Sequence, residues 1–166
     1  MRLLSLSILI LTGATLASAQ SAYTHKGLFK FTSPVGYKQR TAGVAPGRVS
    51  FFAAPKDSYS SNLMLSFADS GAYTAAGIGK ETLAYLKASD KNAKVLGSTA
   101  MKLGGMDAFS ILTDRTLPNG MVVGQNQVIG VHKGKAVILT FSALKKDFKA
   151  ANAKFANCFK SWVWEK

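Results

Sequence analysis

Hydrophobic and polar positions alternate along most of the chain with the period of two expected of strands. Leu28 to Phe31 (LFKF) reads as a strand ending at the turn Ser33-Pro34-Val35-Gly36, and Tyr37 to Arg40 as a short edge strand. Val49 to Ala53 (VSFFA) and Leu63 to Phe67 (LMLSF) follow, separated by the polar loop Lys56 to Asn62. Val95 to Leu103 and Ala108 to Thr113 form a hairpin turned at Gly104-Gly105-Met106-Asp107. Met121 to Val131 comes after the turn Pro118-Asn119-Gly120. The tight turn His132 to Lys135 then leads into Ala136 to Ser142, a run apolar on both faces, as a strand covered on both sides should be. Ser21 to Lys26 is expected to be a short leader without structure of its own.

Two stretches change to the helical period. In Thr74 to Ser89, Ile78, Thr82, Tyr85 and Leu86 make one stripe, with Gly77 and Gly79 shifting the expected start toward Lys80. From Lys145 to about Trp162, Phe148, Ala151, Phe155, Cys158, Phe159 and Trp162 share one face. Lys145, Lys146, Lys149 and Lys160 fall on the opposite side. Each helix must lay its stripe on a sheet. The expected fold is α+β, an antiparallel sheet of about six or seven strands packed with two amphipathic helices.

The first residues follow different rules. Arg2 precedes the apolar run Leu3 to Leu11, and Ala17-Ser18-Ala19 stands before Gln20 as a small-x-small cleavage site. Residues 1–19 therefore read as a secretory signal peptide, too short in its apolar run to span a bilayer. Residues 20–166 remain as a single domain, periplasmic or extracellular. That length builds a core without staples. None is available within the chain, because Cys158 is the one cysteine among 166 residues.

The formal net charge is +13, and processing removes only Arg2. Such a charge favours an anionic envelope polymer, nucleic acid or an acidic protein. Lysine heavily outnumbers arginine, which argues against nucleic acid because arginine supplies the fork that reads phosphate. The candidate anion-binding residues are Lys145, Lys146, Lys149 and Lys160, weighed against an ordinary solvated helix face.

Catalytic and metal chemistry finds no motif. Gly77-Ile78-Gly79-Lys80-Glu81-Thr82 imitates a phosphate-binding loop, but Thr74 stands where the first glycine belongs and Glu81 where a hydroxyl must follow the lysine. His25 and His132 lack partners at metal-ligand spacing, and one cysteine cannot complete a zinc site. Cys158 on the apolar stripe reads as a small core residue. The carboxylates are scattered: Asp107 sits in a turn, Asp147 at a helix start, and Asp57, Asp69 and Asp90 in loops or caps. No catalytic, metal-binding or cofactor-binding residue is assigned, and the chain is read as non-enzymatic.

A resemblance emerges from the order of these segments. An F-x-F strand precedes S-P-x-G-Y, then V-S-F-F, a central helix and L-G-G-x-x-A-F. The chain closes with G-K-A-V-I-L-T-F-S-A and a helix ending F-x-x-C-F-K-S-W. From Leu28 to Trp164 this resembles the PsbP-like superfamily, which holds extrinsic photosystem II proteins, DcrB-type periplasmic proteins and a nuclear Ran-binding import factor. Its shared positions are packing positions: Phe29, Phe31, Pro34, Gly36, Phe51, Gly104-Gly105, Leu139 to Phe141 and Phe155 to Trp162. The resemblance implies an exported, non-catalytic envelope accessory or binding protein. Two alternatives stand beside it, a basic binder of envelope polymer or nucleic acid, and an enzyme whose site has no recognisable motif.

Overall fold

A computed structural model describes residues 20–45 and 47–166. The signal peptide read over residues 1–19 lies outside them. Ten strands and two helices are described: β1 (Ala22–His25), β2 (Phe29–Thr32), β3 (Lys38–Arg40), β4 (Arg48–Phe52), β5 (Asn62–Asp69), α1 (Ala75–Ala88), β6 (Ala93–Leu103), β7 (Met106–Thr116), β8 (Val122–His132), β9 (Lys135–Leu144), α2 (Lys145–Lys160) and β10 (Val163–Trp164). Seven strands form an antiparallel sheet in the order β3-β4-β5-β9-β8-β7-β6, and β1, β2 and β10 form a second, smaller one. The α+β layering expected from the periodicity is the observed fold.

Side-chain alternation divides the large sheet into two faces. Phe51 on β4, Leu63 and Leu65 on β5, Val128 on β8, and Leu139 and Phe141 on β9 point one way, into a core shared with α2 and the small sheet. Phe109, Ile111 and Ile129 point the other way, toward α1. The two helices therefore lie on opposite faces. On the α2 side aromatic rings run in contact: Phe141 stacks on Phe155 at 4.8 Å between centroids, and Phe29 on Trp162 at 4.2 Å. Fully burying each such side chain contributes about 1.5–3 kcal/mol before entropy is counted.

Tight hairpins fix the register. Gly104 and Gly105 connect β6 to β7 with φ of 56° and 84°, the left-handed pair that matches strand twist. Gly104 has a second reason to be glycine, because a Cβ there would come within 2.8 Å of the Trp162 ring. The indole Nε1 of Trp164 donates to the Leu103 carbonyl at 2.7 Å, tying the chain's end to the same hairpin.

Four local expectations are corrected. Residues 22–25, read as part of a leader, form β1, because Tyr23 packs on Phe31 and Phe51 and its backbone pairs with β2. The first helix begins at Ala75, not near Lys80, since the Thr74 hydroxyl caps it by accepting from the Gly77 amide. Tyr85 is exposed, not on the inner stripe, which instead runs through Ala75, Gly79 and Leu86. Gly79 belongs there because its backbone sits directly over Phe109. A Cβ would lie 2.2 Å from that ring. Finally, α2 ends at Lys160 with Ser161 as its cap, and Trp162 reaches the core from the following segment.

Candidate functional site

The feature that gathers polar groups around an accessible space lies at one end of the large sheet. There the turn after β2, the β4–β5 loop and the first half of α2 enclose an open cleft of about 390 Å³. Its floor is small: Ala53 and Ala54 from the loop, Ala150 and Ala151 from the helix. Small side chains leave the space unfilled. Tyr37, Tyr59 and Ser61 bring hydroxyls, and Lys56, Asp147 and Lys154 bring charge.

The loop is clamped in place. Asp57 and Ser58 adopt φ of 50° and 63°, left-handed values uncommon for residues with a side chain. The resulting tight turn pairs Lys56 with Tyr59 through backbone bonds in both directions, at 2.8 and 3.0 Å. It aims two neighbouring charges at the first turn of α2: Lys56 binds Asp147 at 2.9 Å, and Asp57 binds Lys146. The hydrogen bond and charge of Lys146 hold the Asp57 carboxyl below its usual range, and the same bond raises Lys146. Asp147 in the first turn also complements the helix dipole. Both pairs are exposed, so they orient the loop more than they stabilise it.

The hydroxyls are held from behind. Burial pushes the Tyr37 phenol up to about 12, opposed by a hydrogen bond with the Ser61 side chain. Burial also raises Tyr59, opposed by hydrogen bonds with Asn62 and Ser142. Cys158, wholly buried beneath α2, is pushed up to about 12 by the same desolvation. These shifts move away from the neutral range in which a general acid, base or thiolate nucleophile works. The cleft presents hydroxyls, alanine methyls and the Lys154 ammonium, which has no ion-pair partner among the described residues.

The four lysines read from the helix face do not come together. Lys145 pairs with Asp114 at 2.6 Å and Lys146 with Asp57, so two of the charges are already answered. Lys149 and Lys160 have no ion-pair partner among the described residues. Fifteen residues of helix, about 22 Å at 1.5 Å per residue, separate Lys145 from Lys160. The cleft residues Tyr37, Tyr59, Ser61 and Lys154 escaped the sequence reading. The available signal was a tyrosine between serines in the polar loop KDSYSSN, with an alanine-rich helix segment far along the chain.

Each histidine has a local use. His25 lies against Phe67, with ring centroids 4.6 Å apart, and His132 Nε2 is 2.7 Å from the Glu165 carbonyl oxygen. Among the described residues no three His, Cys, Asp or Glu side chains assemble as a metal site, and no helix is long and apolar enough to cross a membrane.

No protein-family model and no curated protein matches the sequence. Solved structures do match the fold. The cyanobacterial PsbP (CyanoP) of Synechocystis sp. PCC 6803 is 16% identical, with a TM-score of 0.63 over 92% of this chain and 96% of that one. LpqN, described as involved in cell envelope biogenesis of Mycobacterium tuberculosis, is 14% identical, with a TM-score of 0.67 over 89% and 91%. PA94 of Pseudomonas aeruginosa, a protein of unknown function, is 14% identical, with a TM-score of 0.59 over 82% and 91%.

Proposed function

We propose that this chain, which has the PsbP-like fold, is an exported, non-catalytic accessory protein of the cell envelope that binds a small ligand in the Tyr37–Tyr59–Lys154 cleft. The observation that carries the reading is the cleft itself. Alanines from two distant segments leave about 390 Å³ open, while hydroxyls and an ammonium without an acidic partner among the described residues converge on it. Such a lining suits a ligand with an apolar body and an anionic or hydroxylated end. The role of LpqN in envelope biogenesis, at 14% identity, supports the compartment, as does the signal-peptide grammar before Gln20.

The test is native mass spectrometry of the protein purified from the exported fraction of its own host. The wild-type chain should begin at Gln20 and carry a non-covalent adduct that disappears on denaturation. Ala54→Trp and Ala150→Trp, both at exposed positions, should fill the cleft and abolish the adduct while leaving the unfolding transition in place. A full-length chain confined to the cytoplasm would overturn the export reading. A wild-type protein without adduct, or variants that keep it, would overturn the cleft.

A further inference from the structure

The second face of the large sheet is only half covered. Helix α1 packs over β6, β7 and β8, and among the described residues no helix covers β3, β4 and β5 on that side. The registers Lys38↔Phe52↔Asn62 and Arg40↔Ser50↔Met64 define which side chains share this uncovered surface, with Arg48 and Ser66 in the next row. Phe51, Leu63 and Leu65 between them turn to the opposite core. A half-face of this kind needs an explanation in terms of what it meets.

Its charge is one-sided. Lys38, Arg40 and Arg48 are exposed, and none is in an ion pair among the described residues. Asp57, Asp69, Asp90, Asp107, Asp114 and Asp147 are all occupied by cations elsewhere. In a chain dominated by lysine, the arginines of the described residues are Arg40, Arg48 and Arg115. Arg115 is spent on Asp90. The other two stand together here.

Both guanidiniums are anchored to side chains of the next strand, Arg40 by stacking and Arg48 by an N–H donated to sulfur. Arg40 lies 4.6 Å above the centroid of the Phe52 ring, and Arg48 Nη1 is 3.8 Å from the Met64 sulfur. Each arginine thus leans one strand across the sheet in the same direction. The Arg40 guanidinium, stacked by its flat side, keeps its N–H edge free for a bidentate anion. Arg48 spends one N–H on sulfur and keeps the others. Successive residues on one face of a strand are about 6.8 Å apart. Lys38, Arg40 and Arg48 therefore follow one another along the strand direction over about 14 Å, which is a track and not a pocket.

We infer that this uncovered half-face binds a linear phosphodiester polymer that carries no bases, through Arg40 and Arg48 with Lys38 extending the track. A single small anion would leave part of the row unused. A single-stranded nucleic acid would use open aromatic faces for its bases, and the one aromatic ring in the row, Phe52, is already capped by Arg40. Charges on an edge strand also discourage edge-to-edge pairing, and Lys38 and Arg40 serve that end in any case. That duty does not call for Arg48 on the neighbouring strand, nor for two guanidiniums each anchored to the strand beyond its own. None of Lys38, Arg40 and Arg48 lines the cleft, so the inference does not rest on the cleft ligand.

The experiment measures binding of the mature protein to a synthetic poly(glycerol phosphate) of defined length, by fluorescence anisotropy at two salt concentrations. Arg40→Gln with Arg48→Gln should weaken binding at least tenfold, and Arg40→Lys with Arg48→Lys by several-fold, because the charge stays and the fork is lost. Lys149→Gln with Lys160→Gln removes the same charge elsewhere and should cost less than threefold. An oligothymidylate of equal charge, an acidic peptide and phosphatidylglycerol vesicles should all bind more weakly than the polymer. Equal losses in the two Gln pairs, full retention in the Arg→Lys pair, or tighter binding of any of those three probes would overturn the assignment.

Discussion

The two faces of the large sheet are built from the same strands and are finished differently. Against one face lie α2 and the small sheet, and between them aromatic side chains pack into a continuous core. Against the other, among the described residues, lies α1 alone, over a smaller cluster of Ala75, Leu86, Phe109, Ile111 and Ile129. Strands β4 and β5 show how the division is written. Val49, Phe51, Leu63, Leu65 and Phe67 turn to the first face, while Arg48, Ser50, Asn62 and Ser66 turn to the second. One face holds the molecule together. The other carries α1 over β6, β7 and β8 and polar side chains over β4 and β5.

The largest effect should come from cutting into the first face. Phe141→Ala removes a fully buried ring that stacks on Phe155 and should cost about 3–5 kcal/mol in urea unfolding. Leu86→Ala, the matching truncation under α1, should cost about 2 kcal/mol, the low end for such changes, because the smaller cluster can relax toward solvent. An equal loss at both sites would dissolve the distinction.

Alkaline pH should also attack the first face selectively, since Tyr37 and Cys158 both belong to it. Their folded pKa values are raised from 10.0 and 9.0 to about 12. Their contribution is intact below the unfolded values and is lost as pH climbs toward the folded ones, because the unfolded chain then releases protons that the folded chain retains. Between pH 10 and 12 each group should lower stability by about 1.4 kcal/mol per pH unit. Tyr37→Phe with Cys158→Ala should flatten the urea-midpoint profile over that window. A slope unchanged by the double variant would place the alkaline sensitivity elsewhere.

The smallest test concerns how α1 is seated. Gly79→Ala improves helix propensity yet drives a methyl into Phe109, so it should destabilise by about 1–3 kcal/mol. Gly77→Ala, two residues nearer the cap, meets only ordinary contacts, the Thr74 hydroxyl at 3.4 Å and the Tyr73 ring at 3.7 Å. It should be neutral or stabilising by up to about 1 kcal/mol. Thermal unfolding of the two variants reads the sign directly. Stabilisation by both would mean that α1 rides loosely on the sheet.

Most of the regular structure was legible because period-two and helical periodicities are local. Ala136 to Ser142 and the Phe148–Cys158 stripe announce a covered strand and an amphipathic helix within a few residues of one another. What the local pattern left open shares a cause. Residues 22–25 alternate too weakly to declare β1, which exists because Tyr23 finds Phe31 and Phe51. Lys145, Lys146, Lys149 and Lys160 share a helix face, but a helix face cannot show that Asp114 and Asp57 come to meet two of them. The same blindness hid Arg40 and Arg48, which are ordinary surface residues until β3 and β4 are paired.

The sequence by itself determined the layered α+β fold, the hairpin turns at Gly104-Gly105 and Lys133-Gly134, the buried place of Cys158 and the strongly basic charge. These follow from periodicity, backbone conformation and composition, all of which act between near neighbours. Only the tertiary structure decided which face each helix covers, and that β3, β4 and β5 stay bare on one side. It alone set Lys56 and Asp57 against the first turn of α2, and brought the alanines of residues 53–54 and 150–151 together as the floor of a cleft. Those outcomes depend on pairing strands far apart in the chain. Where the charges and hydroxyls finally stand is settled by that long-range register, and no local pattern carries it.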